Sequence, residues 1–342
     1  MVKYYLVFSV AILTSFLLGR VKLNRSLSLI IILLPLFIFG AFRTNFGRDY
    51  STYHEIFEII HKESYNLGEA YHVEKGYQFL NLIFPTWRSF LVFNTVLVLF
   101  SYGLMMYSFV RRDVWWLFLL LLFSSSDKAY IFSMVGIRNA LTISILALSF
   151  MFVVDQKRLK FLLLTLFTST IHTSALIFYP LVYLFGTLRS MSNPLVLISI
   201  LLVSSGTLYN LIFYLTSKVS SIGRYLSVLE SAEMASSGLL ALFAASIMTL
   251  LYHRISRRMA LNIKEKTIVS IGYFYPLTFA LGGLNFRVGH HLVLFYITAV
   301  MIMFTKEKRL GAYLIITSLV VASYSFLVVW YRSSAHLLFD IL

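Results

Sequence analysis

Long apolar segments, each separated from the next by a few polar residues, recur along this whole chain. A helix needs about 20 apolar residues to cross the hydrocarbon layer of a membrane, which is about 30 Å thick. The pattern therefore predicts an all-α fold, a polytopic transmembrane bundle of about 12 spans. The predicted spans cover residues 4–19, 27–42, 89–110, 114–127, 137–154, 161–172, 173–187, 194–215, 237–252, 267–283, 290–305 and 310–330. Because these spans leave no stretch for a separate soluble domain, we expect one integral-membrane domain over residues 1–342.

The segment 161–187 allows two interpretations, one over-long helix or two short helices that meet near His172. Periodicity does not choose between them, but charge does, because Lys and Arg in short loops stay on the cytoplasmic side of a membrane. With two crossings all five basic clusters lie on that side, whereas one crossing would move the strongest of them outside. The clusters are Arg20/Lys22/Arg25, Arg111/Arg112, Lys157/Arg158/Lys160, Arg254/Arg257/Arg258/Lys264/Lys266 and Lys306/Lys308/Arg309. We therefore expect two short helices there and both termini outside the cytoplasm.

The composition agrees with a membrane protein and narrows its chemistry. Only 13% of the residues are charged and 59% are hydrophobic, whereas a soluble domain carries about 25% charged residues. The net charge of +15 lies in short clusters between apolar spans, so we expect no nucleic-acid partner. The chain has no Cys, which excludes disulfides and thiolate chemistry.

Most of the unusual polar residues fall on the predicted outer face, above all in segment 43–88 and loop 216–236. In the first segment Gly47 permits a turn, and Asp49 is placed to cap a following helix. That helix is amphipathic and is expected to lie along the outer membrane surface. Its apolar stripe is Tyr53, Ile56, Phe57 and Ile60, at the spacing of one helical face.

Several arginines on this outer face are candidates for binding phosphate. The guanidinium fork suits bidentate contacts to phosphate oxygens, but snorkelling to lipid headgroups explains Arg43 and Arg48 equally well. Arg138 opens a predicted span at its outer end, against the positive-inside bias, so a partner should hold it, and a structural ion pair would suffice. The outer arginines are Arg43, Arg48, Arg138, Arg224 and Arg287.

The histidines offer a candidate base and a weak metal motif. His172 lies between two short predicted helices, among small hydroxyl residues that suit backbone lining a cavity, although a lone His is more often a packing residue. His290 and His291 follow Arg287 at the spacing of one helix face. They point about 100° apart on a helix and have no nearby acid, so we expect no metal site.

Familiar catalytic devices are absent from the sequence. There is no Walker A motif, no G-x-G-x-x-G fingerprint, no G-x-S-x-G elbow and no H-E-x-x-H, which argues against the corresponding nucleotide-using and hydrolytic enzymes. The chain also lacks an Asp-x-Asp pair of the kind that holds a divalent metal in many glycosyltransferases. Any sugar transfer should therefore need neither metal nor cofactor.

The order of several short motifs resembles the EpsG type of the Wzy-like polysaccharide polymerases, the O-antigen polymerase family. The motifs are Arg43...Gly47-x-Asp49-Tyr50-x-x-Tyr53, Glu74-x-Gly76-Tyr77, Arg138-Asn-Ala140-Leu, Ile171-His172-x-Ser174-Ala175-Leu176 and the late Arg287-x-x-His290. The resemblance implies a multi-pass glycosyltransferase of the C type in the bacterial inner membrane, with its active site facing outward. The R-x10-G pattern of some O-antigen polymerases is missing, so the residue roles of that subgroup are not carried over.

The resemblance also implies a reaction and its partners. A glycan on undecaprenyl pyrophosphate is transferred to the sugar hydroxyl of another lipid-linked repeat unit. The expected partners are that lipid-linked oligosaccharide and membrane lipid, and a chain-length regulator protein is a further candidate. Whether the product belongs to lipopolysaccharide, capsule or exopolysaccharide biosynthesis stays open.

Residue roles follow from the chemistry of such a donor. The leaving pyrophosphate gains negative charge, so arginines placed against it would stabilise the transition state. We expect Arg138, Arg287 and Arg43 to contact pyrophosphate and Arg48 and Arg224 to steer donor or acceptor. His172 and Asp49 are the candidate bases, with Glu74 third. Tyr50, Tyr53 and Tyr77 are expected to stack on sugars, and Glu74 and His290 to bind substrate.

Two rival functions share this donor. A flippase or other transporter of the lipid-linked oligosaccharide would suit a basic cavity, but it predicts repeat-like halves, and no convincing internal repeat is present. An O-antigen ligase differs in its acceptor, so the sequence separates it poorly from a polymerase.

Overall fold

A computed structural model describes residues 2–44, 50–62, 73–124, 136–188, 254, 258–272, 274–275, 284–309 and 311–319. Within these ranges every regular element is helical, as predicted. The helices are α1 Val2–Leu18, α2 Arg25–Phe42, α3 Tyr50–Lys62, α4 Lys75–Ile83, α5 Trp87–Phe109, α6 Trp115–Ser124, α7 Ile137–Leu148, α8 Phe150–Val154, α9 Arg158–Ser169, α10 Ala175–Leu188, α11 Ile263–Gly272 and α12 Leu284–Lys306. A short 3-10 helix, Arg112–Val114, precedes α6. The predicted spans 194–215 and 237–252 and the loop 216–236 lie outside the described residues.

Two helices among the described residues are long and apolar enough to cross a membrane, α2 and α5. Shorter apolar helices cover Leu6–Leu18, Ile137–Leu148 and His291–Lys306. The outward face of α2 is exposed and apolar, with Ile30, Leu34 and Ile38 on it, as expected for a surface that meets lipid. The predicted total of about 12 spans is not confirmed and stays a prediction.

The chain divides into two compact units. The first comprises Met1–Thr187 and Ile263–Thr267, and the second Leu188–Asn262 and Ile268–Leu342. The single domain expected from the sequence stays a prediction. In the second unit α12 is buried over most of its length, and the Tyr296 hydroxyl is 2.6 Å from the Ser318 hydroxyl. The first unit holds the residues that form the candidate site.

Helices α2 and α5 pack antiparallel, and polar contacts join them at both ends. At one end Arg25 donates to the carbonyl of Val110 over 2.9 Å. At the other end Arg88 donates to the carbonyl of Ala41 over 3.0 Å. Each helix begins with a side-chain cap, Asn24 for α2 and Thr86 for α5, which satisfies amide groups that the first turn leaves free.

Basic residues of two predicted clusters lie at the same end of the first unit. Arg112 donates to the carbonyls of Leu18, Val21 and Leu23 over 2.5 to 2.7 Å. It thereby joins the turn after α5 to the turn between α1 and α2. Arg25, which begins α2, donates to the carbonyls of Tyr107 and Val110 at the end of α5. The predicted placement of the Arg20–Arg25 and Arg111–Arg112 clusters on one side is consistent with this geometry.

The chain breaks around His172, as predicted. Helix α9 ends at Ser169 and α10 begins at Ala175. The two helices fold back on each other, since the ring of Phe161 lies 5.8 Å from that of Tyr179 and 5.0 Å from that of Tyr183. Residues 161–187 therefore form two short helices and not one long helix.

The amphipathic helix α3 has the predicted apolar stripe, but the stripe packs against protein. Its residues are buried in a cluster with Tyr77, Trp87, Phe90, Ile137 and Ile171. The side chains of His54, Glu58 and Lys62 on the same helix are exposed or half-exposed. Aromatic rings of α4 and α5 cover the stripe, and the expectation that α3 lies along the outer membrane surface stays a prediction.

Replacing Arg112 by Ala should lower the free energy of unfolding by about 2 kcal/mol, since several carbonyls lose a charged donor. Arg111→Ala is the matched control, because the ion pair of Arg111 with Asp113 is exposed and should contribute under about 1 kcal/mol. Thermal unfolding of the detergent-solubilised full chain measures both variants. Equal destabilisation by the two would contradict the assigned role of Arg112.

Candidate active site

Helix α4 starts against the turn that carries His172. Glu74 is the N-cap residue of α4, and the backbone amides of Gly76 and Tyr77 both donate to the carbonyl of Thr170, over 2.8 and 3.2 Å. A Cβ on Gly76 would stand 2.7 Å from the backbone carbon of Thr170. Only glycine permits this close approach, so Gly76 brings Glu74 up to the turn.

The carboxylate of Glu74 joins three separate parts of the chain. Its Oε2 accepts a hydrogen bond from Arg138 Nη1 over 2.6 Å. Its Oε1 lies 3.1 Å from His172 Nδ1 and accepts from both the backbone amide and the hydroxyl of Thr173, each over 3.1 Å. We call Glu74, Arg138, His172 and Thr173 the Glu74 cluster. The side chains of Glu74, His172 and Arg138 are 18, 20 and 23% exposed, so the cluster is half-buried and reachable.

The cluster keeps the Glu74 carboxyl ionised. Burial by itself raises the pKa of this carboxyl, but the His172 hydrogen bond, the Arg138 charge and the Thr173 amide lower it more strongly. The pKa therefore lies well below its ordinary range. A carboxylate with such a low pKa is a poor proton acceptor near neutral pH.

Arg138 occupies the first turn of α7, where a cation is unfavourable because the start of a helix carries partial positive charge. The ion pair with Glu74 offsets this unfavourable position. Glu74 is therefore the partner that the sequence predicted for Arg138. The guanidinium carbon also lies 5.8 Å from the ring centre of Tyr53 and 6.0 Å from that of Tyr77, within the range of cation–π attraction.

His172 sits in a turn that its own backbone fixes. Its amide donates to the carbonyl of Thr168 over 3.0 Å, and its carbonyl accepts from Ala175 over 3.1 Å. On the ring, Nδ1 faces Glu74, while Nε2 makes no hydrogen bond to any of the residues described.

The cluster lies at the end of α5 opposite to the basic clusters. Trp87, which begins α5, packs in one core cluster with Tyr77, Ile137 and Ile171, neighbours of the site. The other end of α5 approaches Val110, whose carbonyl binds Arg25. The first unit therefore separates the Glu74 cluster from the Arg20–Arg25 and Arg111–Arg112 clusters by the length of one membrane-sized helix.

The model of one protein family matches residues 26–340, nearly the whole chain, and its description is the EpsG family. The chain belongs to the EpsG family. Neither the comparison with curated proteins nor that with solved structures gives a significant match. Membership confirms the resemblance drawn from the short motifs. It indicates a membrane protein with a polysaccharide-polymerase role, glycosyltransferase-like in general type.

The three tyrosines of this EpsG-family chain that were expected to stack on sugars are core residues. Tyr77 is fully buried, and Tyr50 and Tyr53 are 8 and 7% exposed. The Tyr50 hydroxyl accepts from Trp87 Nε1 over 2.9 Å, and the rings of Tyr53 and Tyr77 flank Arg138. The burial of all three side chains in this conformation is contrary to the expectation that they stack on sugars.

None of the contacts described above for the Glu74 cluster involves the other predicted site residues. Arg43 is buried at the end of α2, where Nη1 donates to the carbonyl of Gly40. Arg287 and His290 stand on α12 in the second unit, before the buried His291. Three further candidates, Arg48, Asp49 and Arg224, lie outside the described residues.

Thr170, Thr173 and Arg88 were not predicted to take part in the site. Thr173 directly follows His172, so the sequence indicated the turn that contains it. The hydrogen bonds of Thr173 to Glu74 were not predicted. Arg88 is exposed in the first turn of α5, at the same end as the cluster. Like Arg138, Arg88 is a cation at the predicted outer end of a helix and needs a partner there, which is the carbonyl of Ala41. Among the described residues no three His, Asp or Glu side chains could hold a metal ion together, and metal independence stays a prediction.

Gly76→Ala should destabilise the protein by about 1 to 3 kcal/mol, because the added methyl overlaps Thr170 and must displace backbone. Gly103→Ala is the matched control. There the nearest atom is the tip of the Leu33 side chain at 3.1 Å, and alanine favours the helix. Thermal unfolding of both full-length variants tests this, and a Gly76→Ala protein as stable as the control would refute the close approach.

Proposed function

We propose that this chain is a polysaccharide polymerase whose base is His172. It transfers a glycan from undecaprenyl pyrophosphate to the sugar hydroxyl of a second lipid-linked repeat unit, without a metal. The observation that carries the proposal is the Glu74 cluster, in a chain of the EpsG family. It contains a half-buried imidazole whose Nδ1 faces Glu74 and whose Nε2 makes no hydrogen bond to any described residue, and an ion pair holds Glu74 in place.

The reaction forms one bond and breaks one. The acceptor oxygen bonds to C1 of the donor glycan, and the bond between C1 and the pyrophosphate oxygen breaks. The hydroxyl proton passes to His172 Nε2 and then to solvent, while the bonding electrons leave with the pyrophosphate. Pyrophosphate is a good leaving group and needs no acid, so the protein supplies a base and positive charge.

The positive charge must come largely from arginines other than Arg138. The charge of Arg138 is balanced by that of Glu74 at 2.6 Å, so the cluster as a whole brings little net attraction for a pyrophosphate. We therefore keep Arg287 and Arg43 as the proposed pyrophosphate ligands, with Arg48 and Arg224 steering the substrates. Arg138 contributes the guanidinium N–H groups that Glu74 does not bind, and it holds Glu74 in place.

The proposed location is the outer face of the bacterial inner membrane. Lys and Arg clusters favour the cytoplasmic side, and the Glu74 cluster lies at the helix ends opposite to two of them. This sidedness suits a polymerase that receives repeat units after they have crossed the membrane. A chain-length regulator remains the proposed protein partner.

His172→Gln should abolish polymer while the protein stays in the membrane, since a base contributes about 100-fold or more to rate. The test is gel analysis of surface polysaccharide from a deletion strain complemented with wild type, His172→Gln or His54→Gln. His54 is the matched control, because its side chain is 45% exposed on the water-facing side of α3. Wild type and the control should restore long chains.

The deletion strain itself separates the rival functions. Single repeat units on the lipid carrier or core, without long chains, would support polymerisation. Loss of even the single unit would favour a flippase or a ligase. Full-length polymer in the His172→Gln strain would overturn the assignment of the base.

A further inference from the structure

We infer that Glu74 is a positioning residue that fixes the ring and the tautomer of His172. This differs from both roles that the sequence suggested for it, third base and substrate ligand. The inference rests on the proposed function for its consequence in catalysis, but its structural core, the pairing of Glu74 with His172, stands independently of the reaction.

Both carboxylate oxygens of Glu74 already have protein partners, and Oε1 has no capacity left for a substrate. Oε1 takes the His172 Nδ1 contact and both groups of Thr173, and Oε2 takes Arg138. A carboxylate oxygen has two lone pairs, so three donors saturate Oε1. The same contacts hold the pKa of the carboxyl well below its ordinary range. A sugar hydroxyl would have to displace one of these donors before it could bind Oε1, the oxygen that faces His172.

The Glu74 carboxylate also decides which ring nitrogen of His172 carries the proton. An ionised carboxylate only accepts hydrogen bonds, so the ring nitrogen that faces it must carry the hydrogen. That nitrogen is Nδ1. In a neutral imidazole only one nitrogen is protonated, so Nε2 then bears a lone pair. The contact therefore selects the tautomer whose Nε2 can accept a proton from an acceptor hydroxyl.

The carboxylate of Glu74 is itself held in place. Arg138 reaches it from α7, Thr173 from the turn, and its own backbone is joined to Thr170 through Gly76. A base acts well only when its position is fixed within a fraction of an ångström. When Nε2 takes the proton the ring becomes a cation, and the adjacent Glu74 charge stabilises it.

The direct test is ¹⁵N NMR of the full-length protein in lipid nanodiscs with labelled histidine. The His172 signals are identified by their loss in His172→Gln. At a pH where the ring is neutral, the wild-type protein should show Nδ1 protonated and Nε2 bare. In Glu74→Gln the side-chain amide both donates and accepts, so the strict preference should give way to a mixture of tautomers. Glu58→Gln, an exposed carboxylate on α3, should leave the signals unchanged.

Two results would overturn the inference. One is a wild-type protein whose neutral His172 is protonated on Nε2, a result that does not depend on the folding of any variant. The other is an unchanged tautomer in Glu74→Gln.

The catalytic consequence is tested by polymer synthesis from purified lipid-linked repeat units. Glu74→Gln should lower kcat by about 100-fold with the KM for repeat unit unchanged, whereas a substrate ligand would chiefly raise KM. The expected tautomer in a protein that makes no polymer would refute the proposed function and leave the pairing intact. Polymer synthesis with the wrong tautomer would refute the pairing alone.

Discussion

The ion pair between Glu74 and Arg138 is the contact on which the first unit of this protein depends. It joins the start of α4 to the start of α7 across 64 positions of sequence, and the same carboxylate holds the turn between α9 and α10. Removing one partner of a partly buried pair leaves the other charge uncompensated, which is more harmful than never having had the pair. Three segments that are distant in sequence are therefore fixed by a single carboxylate.

The opposite end of the same helices is joined differently. There Arg25 and Arg112 donate to backbone carbonyls at helix ends and not to acids. Carbonyls at the C-terminal end of a helix lack partners and carry partial negative charge, so cations suit them. Such contacts hold a turn together but contain no group that exchanges a proton near neutral pH. The chemistry of the first unit is consequently concentrated at the Glu74 end.

The sequence predicted features that depend on neighbours along the chain. The apolar stripe of α3 and the break at His172 follow from local periodicity and charge, and both are present. Positive-inside reasoning also indicated that Arg138 needs a partner. It did not identify Glu74, because pairing over such a separation is decided by how helices pack. For the same reason the burial of Tyr50, Tyr53 and Tyr77 was missed: an aromatic residue next to a charge looks the same in sequence whether it meets a sugar or a core.

The short motif Glu74-x-Gly76-Tyr77 acquires a physical explanation from these contacts. Glu74 faces His172, Gly76 lets the backbone approach Thr170, and Tyr77 lies beside the guanidinium of Arg138. At the start of α4 the Glu74 carboxylate does not cap its own helix but binds Arg138, His172 and Thr173, while the amides of Gly76 and Tyr77 donate to the Thr170 carbonyl. Moving the acid by one residue would turn it away from both Arg138 and His172. The motif thus encodes one geometry, a carboxylate held at a helix start so that it can hold a histidine.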